Sequence, residues 1–183
     1  MDRKNKRSAI FLDRDGIIIH DTGYLSNPSK VSLIPDVIEA LKKLKNNGFL
    51  LVIISNQSGV GRGYFSEADL KFVHKKMLKL LEVNGIYIDG SYYCKHAPWM
   101  HCNCRKPNPN MLYKAAEDLG IDMSNSYMVG DKLSDVIAGL NAGCKTILIR
   151  KNNDRIEYNE EKPNIIFPNL LSASEWIVND NNI

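Results

Sequence analysis

Ser8-Ala9-Ile10-Phe11-Leu12-Asp13-Arg14-Asp15-Gly16 is the stretch from which the rest of the chain can be read. Residues 8–12 form a short, mostly apolar run, the pattern of a buried strand. The run stops at two carboxylates one residue apart. In extended backbone, residues i and i+2 face the same side. Asp13 and Asp15 are therefore predicted to share the space beyond the strand's carboxyl end. Like charges that close repel, and a divalent cation relieves them; Mg2+ favours carboxylate and phosphate oxygens. Gly16 lets the chain turn sharply away. A solvated acidic turn explains this stretch alone equally well, so the decision falls to the remaining segments.

Outward from this point, strands and helices are predicted to alternate. Ile17-Ile18-Ile19, followed by polar His20-Asp21-Thr22-Gly23-Tyr24, reads as a short hairpin or flap over the carboxylates. A helix is expected from Asp36 to Asn47, after Pro35 and before Gly48. Phe49 to Ile54 is a β-branched apolar run, a second buried strand. It ends at Ser55-Asn56-Gln57-Ser58-Gly59. Ser66 caps a helix running to about Val83, with acids in its first turn. Ile86 to Tyr93 reads as a third strand, Asn110 to Leu119 as a helix, and Ser126 to Val129 as a strand ending at Gly130-Asp131. A helix over 134–141 and a strand over Lys145 to Ile149 follow. Residues 151–163 are polar and read as a loop, Ile165 to Phe167 as an edge strand, and Leu170 to Val178 as a last helix.

This alternation predicts an α/β fold: a three-layer, Rossmann-like, doubly wound and mainly parallel sheet. Such sheets bind ligands at the carboxyl ends of their strands, near the topological switch point. The polar clusters at 13–16, 55–59 and 130–135 each follow an apolar strand and should converge there. At 183 residues, 44% apolar and 25% charged, the chain suits one domain with a real core. The net charge of +3 is scattered, and the basic start (Arg3, Lys4, Lys6, Arg7) reads as a solvated tail. Nucleic acid and membrane are not expected partners, and a cytoplasmic monomer is expected.

Phosphoryl transfer requires a nucleophile, a metal to screen charge, donors for the phosphoryl oxygens and a proton donor for the leaving group. Asp13 could attack phosphorus to form an aspartyl phosphate. Asp15 could protonate the leaving oxygen and later take a proton from water. Ser55 and the amides near Asn56 could hold phosphate oxygens, and Lys106 offers a positive point charge. Asp131 would complete an Mg2+ site with Asp13 and Asp15, and Asp135 would orient it from behind. Each residue has an ordinary structural use as a turn, cap or surface residue. In this order, and at strand ends, the chemical reading is the stronger.

Asp13-Arg14-Asp15-Gly16, the strand-ending Ser55, Lys106 and Gly130-Asp131-Lys132-Leu133-Ser134-Asp135 together resemble the haloacid dehalogenase superfamily of aspartate-nucleophile phosphatases. The likeness covers about residues 8–150. It implies catalytic Asp13, Asp15, Ser55 and Lys106. Asp15 argues against dehalogenation, because the superfamily's dehalogenases lack that second aspartate. Ile17 stands where threonine or valine is commoner. The inserted domains that cap many relatives are not expected, since 17–36 and 86–109 are too short to hold one.

Of four cysteines, Cys94, Cys102 and Cys104 lie within eleven residues. With His96 they supply three thiolates and an imidazole, a set typical of tetrahedral structural Zn2+. A cytoplasmic chain disfavours the alternative, a disulfide. His101 is a spare imidazole, and Cys144 reads as core. The expected job of a zinc loop over 94–104 is to pin Arg105 and Lys106 into the site.

Tyr92-Tyr93-Cys94-Lys95-His96 and Cys102-Asn103-Cys104-Arg105-Lys106-Pro107 resemble the heptose-bisphosphate and histidinol-phosphate phosphatase branch. Asp21-Thr22-Gly23-Tyr24, Asn56 to Gly63 and Ser126 to Lys132 are more similar to the D-glycero-D-manno-heptose 1,7-bisphosphate enzymes. The five-residue gap between His96 and Cys102 is closer to the histidinol-phosphate ones, so both substrates stay open. The resemblance implies substrate contacts from Asp21, Thr22, Gly23, Tyr24, Asn56, Gln57, Ser58, Arg105 and Lys132. Arg105, Lys132 and Arg62 are the cations available to a second phosphate. A zinc-stabilised binding module with a silent catalytic motif is the alternative outside enzymes, and the complete set Asp13, Asp15, Lys106 and Asp131 speaks against it.

Overall fold

Hydrophobic alternation within the strands decides the layers. The computed structural model describes residues 6–150 and 162–180; Arg3 and Lys4 of the basic start and most of the 151–163 loop lie outside them. The described residues form a six-stranded, wholly parallel sheet: β1 Ala9–Leu12, β2 Leu50–Asn56, β3 Gly90–Cys94, β4 Tyr127–Gly130, β5 Lys145–Ile149 and β6 Ile165–Phe167, in the order β3-β2-β1-β4-β5-β6. All four residues of β1 are fully buried, as expected of a parallel strand covered on both faces. Ile10 and Leu12 face one layer with Leu51, Ile53 and Val129; Ala9 and Phe11 face the other with Val52, Ile54 and Met128.

The first layer comprises α1 (Val37–Asn46), α3 (Glu67–Glu82) and α6 (Leu170–Asp180). Leu41 and Leu44 of α1, and Val73, Met77 and Leu81 of α3, bury one stripe per helix. The second layer is α4 (Asn110–Leu119) and α5 (Leu133–Ala142). A short turn of helix, α2 (Ser58–Gly61), follows β2. The α3 start is a reciprocal capping box, Ser66 Oγ accepting from the Asp69 amide and Asp69 Oδ2 from the Ser66 amide. Strand order reverses about β1, so β1 and β4 flank the switch-point crevice.

Four local readings change. The third strand was expected from Ile86 and begins at Gly90. Asp89 is the reason: its Oδ2 accepts from the Leu51 amide at 2.8 Å and pairs with Lys45 at 2.6 Å, so a side chain takes the place of a ladder bond. The apolar run 17–19 is core, not flap, with each isoleucine buried. His20 donates its amide to Ser32 at 3.1 Å and Ile34 donates to Ile18 at 3.0 Å, closing a loop that carries Asp21 to Tyr24 over the crevice. The turn at α2 was not foreseen. Arg7, expected in a solvated tail, is tied at its backbone to Gly120 and Asp122.

Gly139 lets α5 lie directly on the sheet: a Cβ there would come within 2.6 Å of Met128 Cβ and of Thr146 Cγ2. Gly139→Ala gains about 1 kcal/mol of helix propensity but meets an overpacking cost of about 1–3 kcal/mol. A net loss of up to about 2 kcal/mol is expected in urea unfolding.

Candidate active site

The ammonium of Lys106 is the centre of the crevice. It is 3% exposed, donates to the Ile54 carbonyl at 2.6 Å, and sits 2.6 Å from Asp135 Oδ1 and 3.1 Å from Asp13 Oδ1. Burial opposes its charge, yet Asp13 and Asp135 outweigh this and raise its pKa. Its backbone is gripped as well: Asn56 Oδ1 accepts from the Lys106 amide and Asn56 Nδ2 donates to its carbonyl, both at 3.0 Å. Asn56, expected to touch substrate, thus spends its amide on Lys106.

Asp15 faces the same cavity but is held by other groups. Arg14, 1% exposed, donates through Nε and Nη2 to both its oxygens at 2.9–3.2 Å. Gln57 Nε2 donates to Asp15 Oδ2 at 2.8 Å and to Ser55 Oγ at 3.1 Å, while Gln57 Oε1 accepts from Arg14 Nη2 at 2.9 Å. Burial raises the Asp15 pKa despite Arg14. Arg14 escaped the sequence reading, because an arginine between two aspartates normally reads as exposed.

Asp13, Asp131 and Asp135 bring carboxylate oxygens within 4.8 Å of one another. Among the described residues Asp131 Oδ1 is buried with no hydrogen-bond partner, and Oδ1 of Asp13 and of Asp135 has only the ion pair to Lys106. Burial pushes the Asp131 pKa up to about 6, Lys132 opposes this, and Asp13 and Asp135 add to it. Orphaned, mutually repelling hard oxygens are a donor set that fits Mg2+. Gly16, at φ 85°, brings its Cα against the Asp131 carboxylate where no side chain would fit. Asp15, expected in this group, is absent from it because Arg14 and Gln57 occupy its carboxylate. Asp135, expected behind it, is a member.

The cavity has a volume of about 400 Å³ and is lined by Asp13, Asp15, Ser55, Lys106, Asp21, Gly23, Tyr24, Asn56, Gln57, Ser58, Arg105 and Lys132. Of the residues expected in the phosphoryl site or against substrate, Thr22 and Asp131 do not line it. Phe65 and Ser134 join unforeseen. Lys132 reaches Asp21 at 3.3 Å across the mouth, and Arg105 Nη1 is buried without a hydrogen-bond partner among the described residues. Arg62 is not a lining residue; its guanidinium stacks 4.8 Å from the Trp99 ring and near Tyr24 and Tyr64.

Beside the cavity, Cys94, His96, Cys102 and Cys104 converge, all three cysteines free of disulfides. Cys94 Sγ lies 3.5 Å from Cys102 and 2.9 Å from Cys104; His96 Nδ1 lies 3.2 Å from Cys104. A tetrahedron with zinc–sulfur distances of about 2.3 Å has edges of about 3.8 Å, so this donor set fits Zn2+ after slight expansion. His101 is not in the cluster, and Cys144 is buried in the core. The Gly61 amide donates to the Lys95 carbonyl at 2.9 Å, docking α2 onto this loop.

With this geometry the chain has close relatives. A HAD-hydrolase-like family model matches residues 103–173. The chain is 40% identical to D-glycero-beta-D-manno-heptose-1,7-bisphosphate 7-phosphatase of Haemophilus ducreyi, over 93% of this chain and 98% of that one. It is 41% identical to the Escherichia coli K12 protein of that name, over 93% and 88%. The crystal structure of D,D-heptose 1,7-bisphosphate phosphatase from B. bronchiseptica with magnesium and phosphate superposes with a TM-score of 0.85 at 30% identity, covering 94% of this chain and 99% of that one. Its counterpart from Burkholderia thailandensis gives 0.70 at 26% identity, over 94% and 99%. The haloacid dehalogenase-like fold without a cap, read from the sequence, is what the sheet order and these likenesses show. The chain belongs to the heptose-1,7-bisphosphate 7-phosphatase family of the haloacid dehalogenase superfamily.

Proposed function

We propose that this chain, a cytoplasmic monomer, removes the C7 phosphate of D-glycero-D-manno-heptose 1,7-bisphosphate through an aspartyl phosphate on Asp13. The observation that carries this reading is the Asp13 carboxylate at the cavity floor, held 3.1 Å from a buried ammonium with Asp131 and Asp135 alongside. Asp13 attacks phosphorus, the bond from phosphorus to the sugar oxygen breaks, and Asp15 gives that oxygen its proton. Water then attacks the aspartyl phosphate and returns a proton to Asp15, freeing Asp13 and inorganic phosphate. Lys106 and Ser55 hold phosphoryl oxygens, while Arg105 and Lys132, the latter exchanging its pairing with Asp21, meet the second phosphate near the mouth.

Asp13, Asp131 and Asp135 would hold Mg2+, which when bound screens the charge gathered on the phosphoryl group. Cys94, His96, Cys102 and Cys104 would hold Zn2+ as a closed structural site, with no position left for water. Its part is mechanical: Cys104 directly precedes Arg105, and Lys106 follows next. The short loop between His96 and Cys102 favours histidinol phosphate as the second substrate to test.

Phosphate release with Mg2+ should favour the heptose bisphosphate over histidinol phosphate by about a hundredfold in kcat/KM, or about 2.7 kcal/mol. The reverse preference overturns the substrate. Asp13→Asn should lower turnover about a thousandfold, and unchanged turnover would leave only a binding module.

Lys106→Met strands Asp13 and Asp135 as buried unpaired carboxylates, which costs about 3–5 kcal/mol. Thermal unfolding in chelator should therefore fall steeply, and Mg2+ should restore part of the loss. Cys102→Ser should abolish stoichiometric zinc and raise hydrogen exchange across 94–107, with kcat/KM falling through Arg105 and Lys106.

A further inference from the structure

Arg14 is an expensive residue to bury. It is 1% exposed, and its Nη1 has no hydrogen-bond partner among the described residues. A guanidinium removed from water needs compensation, and here the compensation is a closed ring of three side chains. Arg14 forks onto Asp15, Gln57 accepts from Arg14, and Gln57 donates to Asp15, with distances between 2.8 and 3.2 Å. Gln57 is itself 5% exposed, and its remaining amide hydrogen reaches Ser55 Oγ.

A surface ion pair between neighbours in sequence would be mobile and worth little. This one is neither exposed nor single. Two planar groups, a guanidinium and a carboxylate, meet along a shared edge, which restrains rotation of the carboxylate about its own bond. The amide of Gln57 then blocks the other escape, because swinging Asp15 aside would break bonds to two partners and disturb Ser55. Asp15 lines the cavity, and its side-chain hydrogen bonds run to Arg14 and Gln57.

We infer that Arg14 and Gln57 are positioning residues that aim the Asp15 carboxylate at the leaving oxygen and lock it in step with the phosphate-holding Ser55. This rests on the reading of Asp15 as proton donor. Neither Arg14 nor Gln57 touches the reacting atoms; each acts through Asp15. The ring forms before substrate arrives, so it lowers the barrier by orientation already in place.

The experiment separates orientation from bulk stability by changing the leaving group. Alkyl leaving groups such as the heptose C7 oxygen need a proton as the bond to phosphorus breaks, whereas a nitrophenolate leaves without one. The probes are the heptose bisphosphate and p-nitrophenyl phosphate, each followed in single turnover so that only formation of the aspartyl phosphate is read. Asp15→Asn should slow the alkyl substrate about a hundredfold or more and the aryl one far less. Arg14→Met should copy that selective loss, with KM for the heptose bisphosphate within about threefold of the parent. Arg14→Lys, which keeps the charge but not the fork, should retain the selective defect. Gln57→Met should give a smaller loss of the same kind, about tenfold, and it decides the matter if Arg14→Met fails to fold. Equal losses on both substrates in the folded variants, or none, would overturn the inference. If Asp15→Asn itself slows both alike, the reading of Asp15 as acid falls; if only Asp15→Asn is selective, the positioning role alone falls.

Discussion

A buried lysine ammonium is the constraint on which this molecule depends. Lys106 is drawn from a loop far along the chain into the gap between Asp13, at the end of β1, and Asp135, at the start of α5, with the Ile54 carbonyl of β2 completing its shell. Four segments must meet within a few ångströms for that charge to be tolerated. Remove any one and a buried ion is left without its partner, which costs far more than the intact arrangement contributes. The parallel sheet makes the meeting possible, because parallel strands deliver their carboxyl ends to one edge.

Around that charge the site divides its labour. One side is a cluster of hard oxygens, Asp13, Asp131 and Asp135, short of donors and suited to a cation. The other is the Arg14–Asp15–Gln57 ring, in which every carboxylate oxygen already has a donor. The two aspartates of the opening motif, alike in sequence, thus stand in different settings: one is tied to a lysine and its carboxylate neighbours, the other to an arginine and a glutamine. Separate environments are how a protein assigns different work to chemically identical side chains.

Much of this was legible in the sequence because the signals are periodic or local. β5 and α4 match their expected spans residue for residue, and the polar clusters do gather at the carboxyl edge. Two of the misses have a plain cause: a side chain doing the work of backbone, or a charge going inward. Asp89 usurps a ladder bond and shortens β3, and Arg14 is buried although charged side chains ordinarily face outward. No window of hydrophobicity carries such information, since each depends on a partner dozens of residues away. The zinc-type cluster was readable because its chemistry needs particular elements at short spacing.

The paired bonds between Asn56 and the Lys106 backbone imitate one rung of a β-ladder, so loop 105–106 is stitched to β2 as a neighbouring strand would be. Cys94, the last residue of β3, anchors the other end of the same excursion. The excursion between these two stitches also carries His96, Cys102 and Cys104, so backbone pairing fixes its ends and the side-chain cluster fixes its middle. A displacement anywhere along it is therefore passed on to the ammonium beside Asp13.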